Sequence, residues 1–443
     1  MKRQQQFSRR SFLKTLGTAA FAAPFITRNL MAQSPNGVVR HASFGTGGQA
    51  WSDLTQLSNV PRFKVVAVCD VDLDRTTEAR KKFPDARVYQ DWRELLAKEA
   101  KHIDSVNVSV PDHMHAPIAV SAMRLGKNVY GQKPLAHDLY EVRRMTEVAR
   151  REKVVTQMGI QIHSSKVYRT GVQIIRNGTI GKIKEVHSWC SKSWGDPSPK
   201  PERADPVPPN LNWDLWLGVC AERPFIGDKY YHPMNWRKRL DFGTGTFGDM
   251  GCHIFDPVFK SLELTAPISV RSEGAAPNEW NWALDSKIHY TFPGTKFTAG
   301  TTLPVTWYDG TSRPPVEIIK LMESDELPAI GSMFIGTEGV MVLPHIARAQ
   351  LYPNAKFENF KYPEVAEVSH WASYIDACLG EGKTSANFDY AGPLTEAVLL
   401  GGVATHFPLT TLEWDAHKLK FSLAEANHFV RRSYRKGWHV RGL

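Results

Sequence analysis

The chain reads as an α/β protein: a doubly wound parallel sheet first, then an α/β domain built on a large, mostly antiparallel open sheet. Three observations carry this expectation. Short apolar strands alternate with helix-length stretches over residues 38–158, the pattern of repeated βα units. A glycine turn stands between the first strand and the first helix. From Ile183 the alternation gives way to strands spaced as in an antiparallel sheet with one face against helices.

Taken in order, residues 38–44 form the first strand and run into Gly45-Thr46-Gly47-Gly48-Gln49-Ala50, ahead of a helix around 51–57. Residues 64–69 form the second strand, which ends at Asp70. A helix ends over 78–83, residues 87–89 make a short strand, and Asp91 opens the helix that holds Leu95 and Leu96. Residues 105–110 read as a buried strand stopped by Pro111, 117–125 as helix, 128–130 as strand and 138–153 as a long helix, with 154–158 closing the series. Further strands are expected over 183–190, 268–272, 286–292, 296–302, 331–335 and 340–343. The tail from Trp371, including 388–406, reads as helix that packs back over both domains. The divisions are a leader over 1–32, a first domain over 33–158 and a second over 159–443.

A chain of 443 residues is long enough for two domains and a large core. With 42% hydrophobic and 23% charged residues it is neither disordered, coiled coil nor collagen. No apolar run reaches the roughly 18 residues of a membrane span. The net charge of +10 is concentrated, because residues 1–32 hold six cations and no acidic residue, which leaves +4 elsewhere. The cluster Arg431, Arg432, Arg435 and Lys436 reads as a solvated helix face, so no nucleic-acid partner is expected. Ser8-Arg9-Arg10-Ser11-Phe12-Leu13-Lys14, followed by a weakly apolar stretch over 16–26, resembles a twin-arginine export signal. It implies cleavage near Ala32 and a periplasmic or otherwise extracytoplasmic destination; the alternative is a basic flexible tail. Five cysteines without a CxxC form no metal or disulfide pattern and are expected as buried thiols.

The chemistry begins at the glycine turn. In the GxGxxA run of Gly45, Thr46, Gly47, Gly48, Gln49 and Ala50, glycines permit a tight turn and let backbone amides approach a pyrophosphate. The following helix N-terminus attracts its charge. Asp70, twenty residues beyond Ala50, suits a ribose hydroxyl and repels a 2′-phosphate, which favours NAD over NADP. Arg75 pulls the other way. Ligands of such sheets lie at the carboxyl ends of strands, which brings Pro111-Asp112-His113 and Gln132-Lys133-Pro134 beside the cofactor. Asp249 and His253, four residues apart, share one helix face. His113, His115 and His163 raise the question of metal, but a zinc site needs three or four convergent ligands, and none is expected.

Four motifs together resemble the Gfo/Idh/MocA family: Gly45 to Ala50 with Asp70; Pro111 through His115; Gln132-Lys133-Pro134-Leu135; and the Gly-rich run from Gly243 to Asp256. The resemblance implies a Rossmann domain, then an α/β domain whose open sheet commonly packs against another subunit, hence a homo-oligomer (dimer or tetramer). It further implies hydride transfer between a nicotinamide and a sugar or cyclitol carbon. By this resemblance Lys133, Asp249 and His253 handle the proton. Pro111, His115 and Gln132 join the glycine turn, Asp70 and Lys133 at the cofactor. The family's lysine usually follows a glutamate; here Gln132 precedes it. Loss of that carboxylate should ease deprotonation of Lys133.

A long Pro- and Trp-rich excursion separates the first two strands of the second domain. Such a loop is usually functional. Tyr231 and Trp236 could stack on sugar faces while His232, Asn235 and Arg237 read hydroxyls, with His113 and His163 also lining the pocket. The alternative is that these rings brace the domain. Export combined with a dinucleotide calls for a tightly bound cofactor that is reset at the same site. Two functions follow: an exported oxidoreductase acting on a sugar, cyclitol or glycoside hydroxyl, for example to a 3-keto sugar, or an NAD-dependent glycosidase working by transient oxidation and elimination.

Overall fold

The computed structural model describes residues 37–443 apart from Asp325; the twin-arginine stretch and the expected cleavage site lie outside the described residues. The first sheet has six strands: β1 (Val39–Phe44), β2 (Phe63–Cys69), β3 (Arg87–Tyr89), β4 (Ser105–Val108), β5 (Asn128–Gly131) and β6 (Thr156–Met158). They run in the order β3-β2-β1-β4-β5-β6, and every pairing is parallel. Both faces of the sheet carry helices, so its inner strands are buried on both sides, polar Ser105, Asn107 and Asn128 included. All four residues of β4 and of β5 are buried. The strand order reverses direction between β1 and β4, and the crevice of such a sheet opens there, beyond the strand ends.

The second sheet has nine strands: β7 (Ile183–Cys190), β8 (Ser269–Glu273), β9 (Lys287–Pro293), β10 (Thr302–Asp309), β11 (Ile330–Gly336), β12 (Val340–Pro344), β13 (Gln350–Tyr352), β14 (Thr411–Asp415) and β15 (Lys420–Phe421). Their order is β13-β12-β11-β7-β10-β9-β8-β14-β15. The β7–β10 ladder is parallel and the others are antiparallel. The strand expected over 296–302 is a turn; the true strand begins at Thr302 and runs to Asp309. Pro304 masks it in the sequence, because proline argues against a central strand. It is tolerated because the ladder to β7 starts only at Val305. Three short strands, β13, β14 and β15, are not apparent in the sequence.

The helix Leu139–Glu152 starts at Asp138, which with Glu141 forms a reciprocal capping box. The helix Phe388–Thr405 is buried along most of its length. It packs on Leu139–Glu152 of the first domain and on the helix Gly245–Leu262 of the second, so the tail wedges the two together. The excursion hooks back onto the first domain: Asn212 N donates to Val71 O (2.9 Å) and Leu73 N to Asn210 O (3.0 Å). All five cysteines are buried free thiols. Among the described residues no helix is long and apolar enough to cross a membrane.

Candidate active site

The glycine turn follows β1 directly. Gly45 has φ +91°, and a Cβ there would stand 2.3 Å from the Ser109 carbonyl oxygen, so only glycine fits. A Cβ at Gly47 would stand 2.3 Å from the Arg75 guanidinium, so Arg75 lies over the turn. Asp70, at the end of β2, pins the turn: one carboxylate oxygen accepts from Thr46 N (2.9 Å) and Thr46 Oγ1 (3.0 Å), the other from Asp72 N (3.0 Å). Burial pushes the Asp70 carboxyl upward, opposed by these donors. No side chain caps the helix Gln49–Ser58 that follows, which leaves its first amides for a ligand.

These residues line a crevice of about 250 Å³ whose walls include Gly45, Gly47, Gly48, Gln49, Ala50, Asp70, Arg75, Pro111, His115, Gln132 and Lys133. Thr46 stands behind the turn, bonded to Asp70. A glycine turn closed to a Cβ at Gly45, an uncapped helix and a carboxylate at the end of β2 fit a dinucleotide. His115 Nδ1 lies 2.7 Å from Pro134 O and Nε2 2.8 Å from Val110 O; burial lowers its pKa, and a neutral ring donates to one of the two.

Lys133, just past β5, lies at the junction between this crevice and a second cavity of about 740 Å³, lining both together with Gln49, Gln132, Met234 and Arg237. Its Nζ donates to Asp249 Oδ1 (2.6 Å) and to the Asp249 carbonyl (2.7 Å). Both side chains are at least nine-tenths buried. The other Asp249 oxygen accepts from Trp194 Nε1 (2.9 Å) and has Lys192 Nζ 3.8 Å away, while Arg237 Nε stands 3.4 Å from Oδ1. Burial works against the Asp249 charge, but Lys133, then Arg237 and Lys192, outweigh it and hold the carboxyl well below the usual range.

His253, one turn further on Gly245–Leu262, lines the second cavity but is not hydrogen-bonded to Asp249, whose oxygens are spent on Lys133 and Trp194. Its Nδ1 is buried without a partner. Burial, then Lys133 and His345, keep the ring neutral. An orphaned imidazole nitrogen beside the Lys133–Asp249 pair is suited to a substrate hydroxyl.

The structure corrects most of the expected substrate contacts. His113 Nε2 is bonded to Trp216 O (3.0 Å), and the ring packs against Trp216 and Phe242. His163 Nδ1 is held by both oxygens of the buried Asp256 (2.9 Å each). Tyr231 belongs to a buried ring cluster with Trp216, Trp236 and Phe242, and Asn235 donates to Lys229 O (2.9 Å). His232, bonded to Asp72 (2.8 Å), and Trp236 line the dinucleotide crevice instead. The excursion therefore roofs the crevice and braces itself, because its rings are more apolar than a solvated loop can leave exposed. Of the expected set only Arg237 reaches the second cavity, and it lines the crevice as well.

Three groups escaped the sequence. Lys192 and His345, both in the second cavity, lie just beyond the ends of β7 and β12. Asp53 is buried in the helix Gln49–Ser58 and accepts from Gln132 Nε2 (2.7 Å), Gln49 Nε2 (2.9 Å) and Ser109 Oγ (2.9 Å). Burial pushes its carboxyl up to about 6 against these donors. It supplies a carboxylate directly behind the amide that replaces the expected glutamate.

Two family models match the chain. Residues 39–160 match the NAD-binding Rossmann fold of the Gfo/Idh/MocA oxidoreductase family and residues 183–296 its C-terminal alpha/beta domain, together just over half of the chain. A levoglucosan dehydrogenase of Pseudarthrobacter phenanthrenivorans is 24% identical over 197 residues, 44% of this chain and 42% of the relative. An alpha-N-acetylgalactosaminidase of Shewanella oneidensis is 27% identical over 205 residues, 40% of this chain and 44% of the relative. The chain spans less than half the length of these curated relatives. The WlbA dehydrogenase of Bordetella pertussis, solved with NADH and UDP-GlcNAcA, superposes with a TM-score of 0.60 at 14% identity, covering 85% of this chain and 99% of that one; that likeness speaks for the fold alone.

Proposed function

The chain belongs to the Gfo/Idh/MocA oxidoreductase family, and from that premise we propose that it oxidises a hydroxyl of a sugar, cyclitol or glycoside using a tightly held NAD. The observation that carries this reading is the position of Lys133, in the wall between the dinucleotide crevice and the second cavity and 2.6 Å from Asp249. Gly45 to Ala50, Asp70 and Arg75 would hold the dinucleotide, and the roof of Trp216, His232 and Trp236 would retain it. When bound, the nicotinamide accepts and returns a hydride. As the free amine, once the proton it shares with Asp249 has passed to solvent, Lys133 would take the hydroxyl proton, and Asp249 would stabilise the ammonium that re-forms. His253, neutral and unpartnered, orients the hydroxyl. Trp194 and Arg237 keep Asp249 in place. Asp70 supports NAD over NADP, with Arg75 as the group that would admit the phosphate.

The test is to add candidate sugars to the purified protein and follow reduced-nicotinamide absorbance. A rise that depends on Lys133 supports the reading; no rise with any sugar or cyclitol defeats it.

A second reading, glycoside cleavage by transient oxidation, draws support from the galactosaminidase relative. Oxidation next to a C–H acidifies it, elimination expels the aglycone, water adds and the hydride returns. A chromogenic glycoside given without acceptor separates the two: steady release of chromophore means cleavage, a keto-glycoside that needs an acceptor means dehydrogenation. The Arg9-Arg10 motif supports export of the folded, loaded protein; Arg9→Lys/Arg10→Lys should hold it in the cytoplasm. The open sheet supports a homo-oligomer, which sedimentation would size.

A further inference from the structure

The second cavity differs in character along its length. Its buried part holds Lys133, Asp249 and His253. Its exposed lining holds Met234, Ile346 and Val368, which are 57%, 77% and 39% exposed, beside the polar Gln161, Lys192, Glu367 and Ser369, and Met234 lines the dinucleotide crevice as well. Those are three of the ten exposed large hydrophobics among the described residues, gathered on one cavity from three separate stretches of chain. Scattered apolar side chains need no explanation, but a gathering of them at a ligand cavity does. At about 740 Å³ the cavity also lies in the range, roughly 300–1,000 Å³, that encloses ligands larger than one sugar ring.

We infer that Met234, Ile346 and Val368, within the solvent-facing lining of this cavity, make a subsite for an apolar aglycone, so that the substrate is an aryl glycoside rather than a free sugar. This rests on the oxidoreductase reading for the sugar end. Aliphatic side chains cannot read hydroxyls, so they contribute nothing to a second sugar unit. They do gain by covering an aromatic plane, and the methionine sulfur adds a favourable contact with a ring. Trp194 lines the cavity too and is tied to Asp249 through Nε1, with the Arg237 guanidinium over its ring. A glycoside would thus lie with its polar ring against Lys133 and Asp249 and its aglycone toward solvent, where the exposed carbon surface waits for a cover.

Calorimetric titration of the purified full chain with phenyl and methyl pyranosides (gluco, galacto and manno, both anomers) tests this without reliance on turnover. For at least one sugar the phenyl glycoside should bind about tenfold or more tightly than its methyl counterpart, as expected for burying one ring face. Ile346→Ser/Val368→Ser should erase that advantage and leave methyl glycoside binding unchanged. Equal affinity for phenyl and methyl glycosides overturns the proposal, as does a preference that survives the double variant. Loss of oligomeric state in the double variant with unchanged glycoside preference also overturns it, because a second copy would then be the cover. Nicotinamide reduction by the methyl glycosides, read in parallel, reports separately on the oxidoreductase reading.

Discussion

Lys133 Nζ stands 2.6 Å from Asp249 Oδ1, and this buried pair joins the carboxyl end of β5 to the helix Gly245–Leu262 of the other domain. The proposed proton acceptor and the carboxylate bonded to it thus come from separate domains.

Lys133→Met removes the proton acceptor while keeping the bulk of the side chain. Turnover should fall by about 10²–10⁴-fold, the usual contribution of a positioned acid or base. Bound dinucleotide per chain should stay at the wild-type level, because the glycine turn is untouched. Steady-state rates and cofactor content measured on the same preparation check both halves.

Asp249→Asn leaves Lys133 buried without its counter-charge, at a cost of about 3 kcal/mol in stability near neutral pH. The sign follows from the depressed Asp249 pKa. A carboxylate held below its unfolded value stabilises the fold above that value and loses the contribution as pH falls through the folded one. The gap in thermal stability between wild type and variant should therefore be flat from pH 7 to about 5 and close only in strong acid. A gap that closes near pH 6 would contradict the assignment.

Gln132→Glu places a second carboxyl where Gln132 Nε2 now stands 2.7 Å from Asp53. Asp53 is already raised to about 6 by burial, and like charges at that distance cannot both ionise. The cost should appear above pH 6 and be relieved as pH falls and the pair takes up a proton. Adding Asp53→Asn should restore neutral-pH stability, which denaturation across pH 5–8 would register.

Asp70→Ala should weaken NAD about tenfold or more and narrow the preference over NADP, since Arg75 would then face the ribose edge unopposed. Thr46→Val removes only the hydroxyl contact to Asp70 and should leave the NAD-over-NADP ratio intact. Parallel titrations with both dinucleotides measure it.

The dinucleotide half of the site was legible because its signals are local. Gly45, Gly47 and Asp70 follow from a turn and a strand end within one βαβ unit, and all three line the crevice. The pairing of Lys133 with Asp249 spans 116 positions, and no periodicity reports a contact that distant. Helical spacing put Asp249 and His253 on one face, yet it could not tell that Lys133 and Trp194 would claim the carboxylate. The excursion misled for a related reason: Tyr231 and Trp236 carry the same composition whether they stack on a sugar or on their neighbouring rings, and only packing decides. Pro304 hid a central strand because the point where the β7 ladder begins is a tertiary fact.

Mass spectrometry of small molecules released on denaturing the freshly purified protein bears most directly on the claim that a nicotinamide dinucleotide occupies the crevice beside Lys133. The account predicts close to one NAD per chain from the wild type and almost none from Gly45→Ala, whose Cβ would collide with the Ser109 carbonyl. A wild-type protein that releases no dinucleotide and takes none up on titration would contradict it.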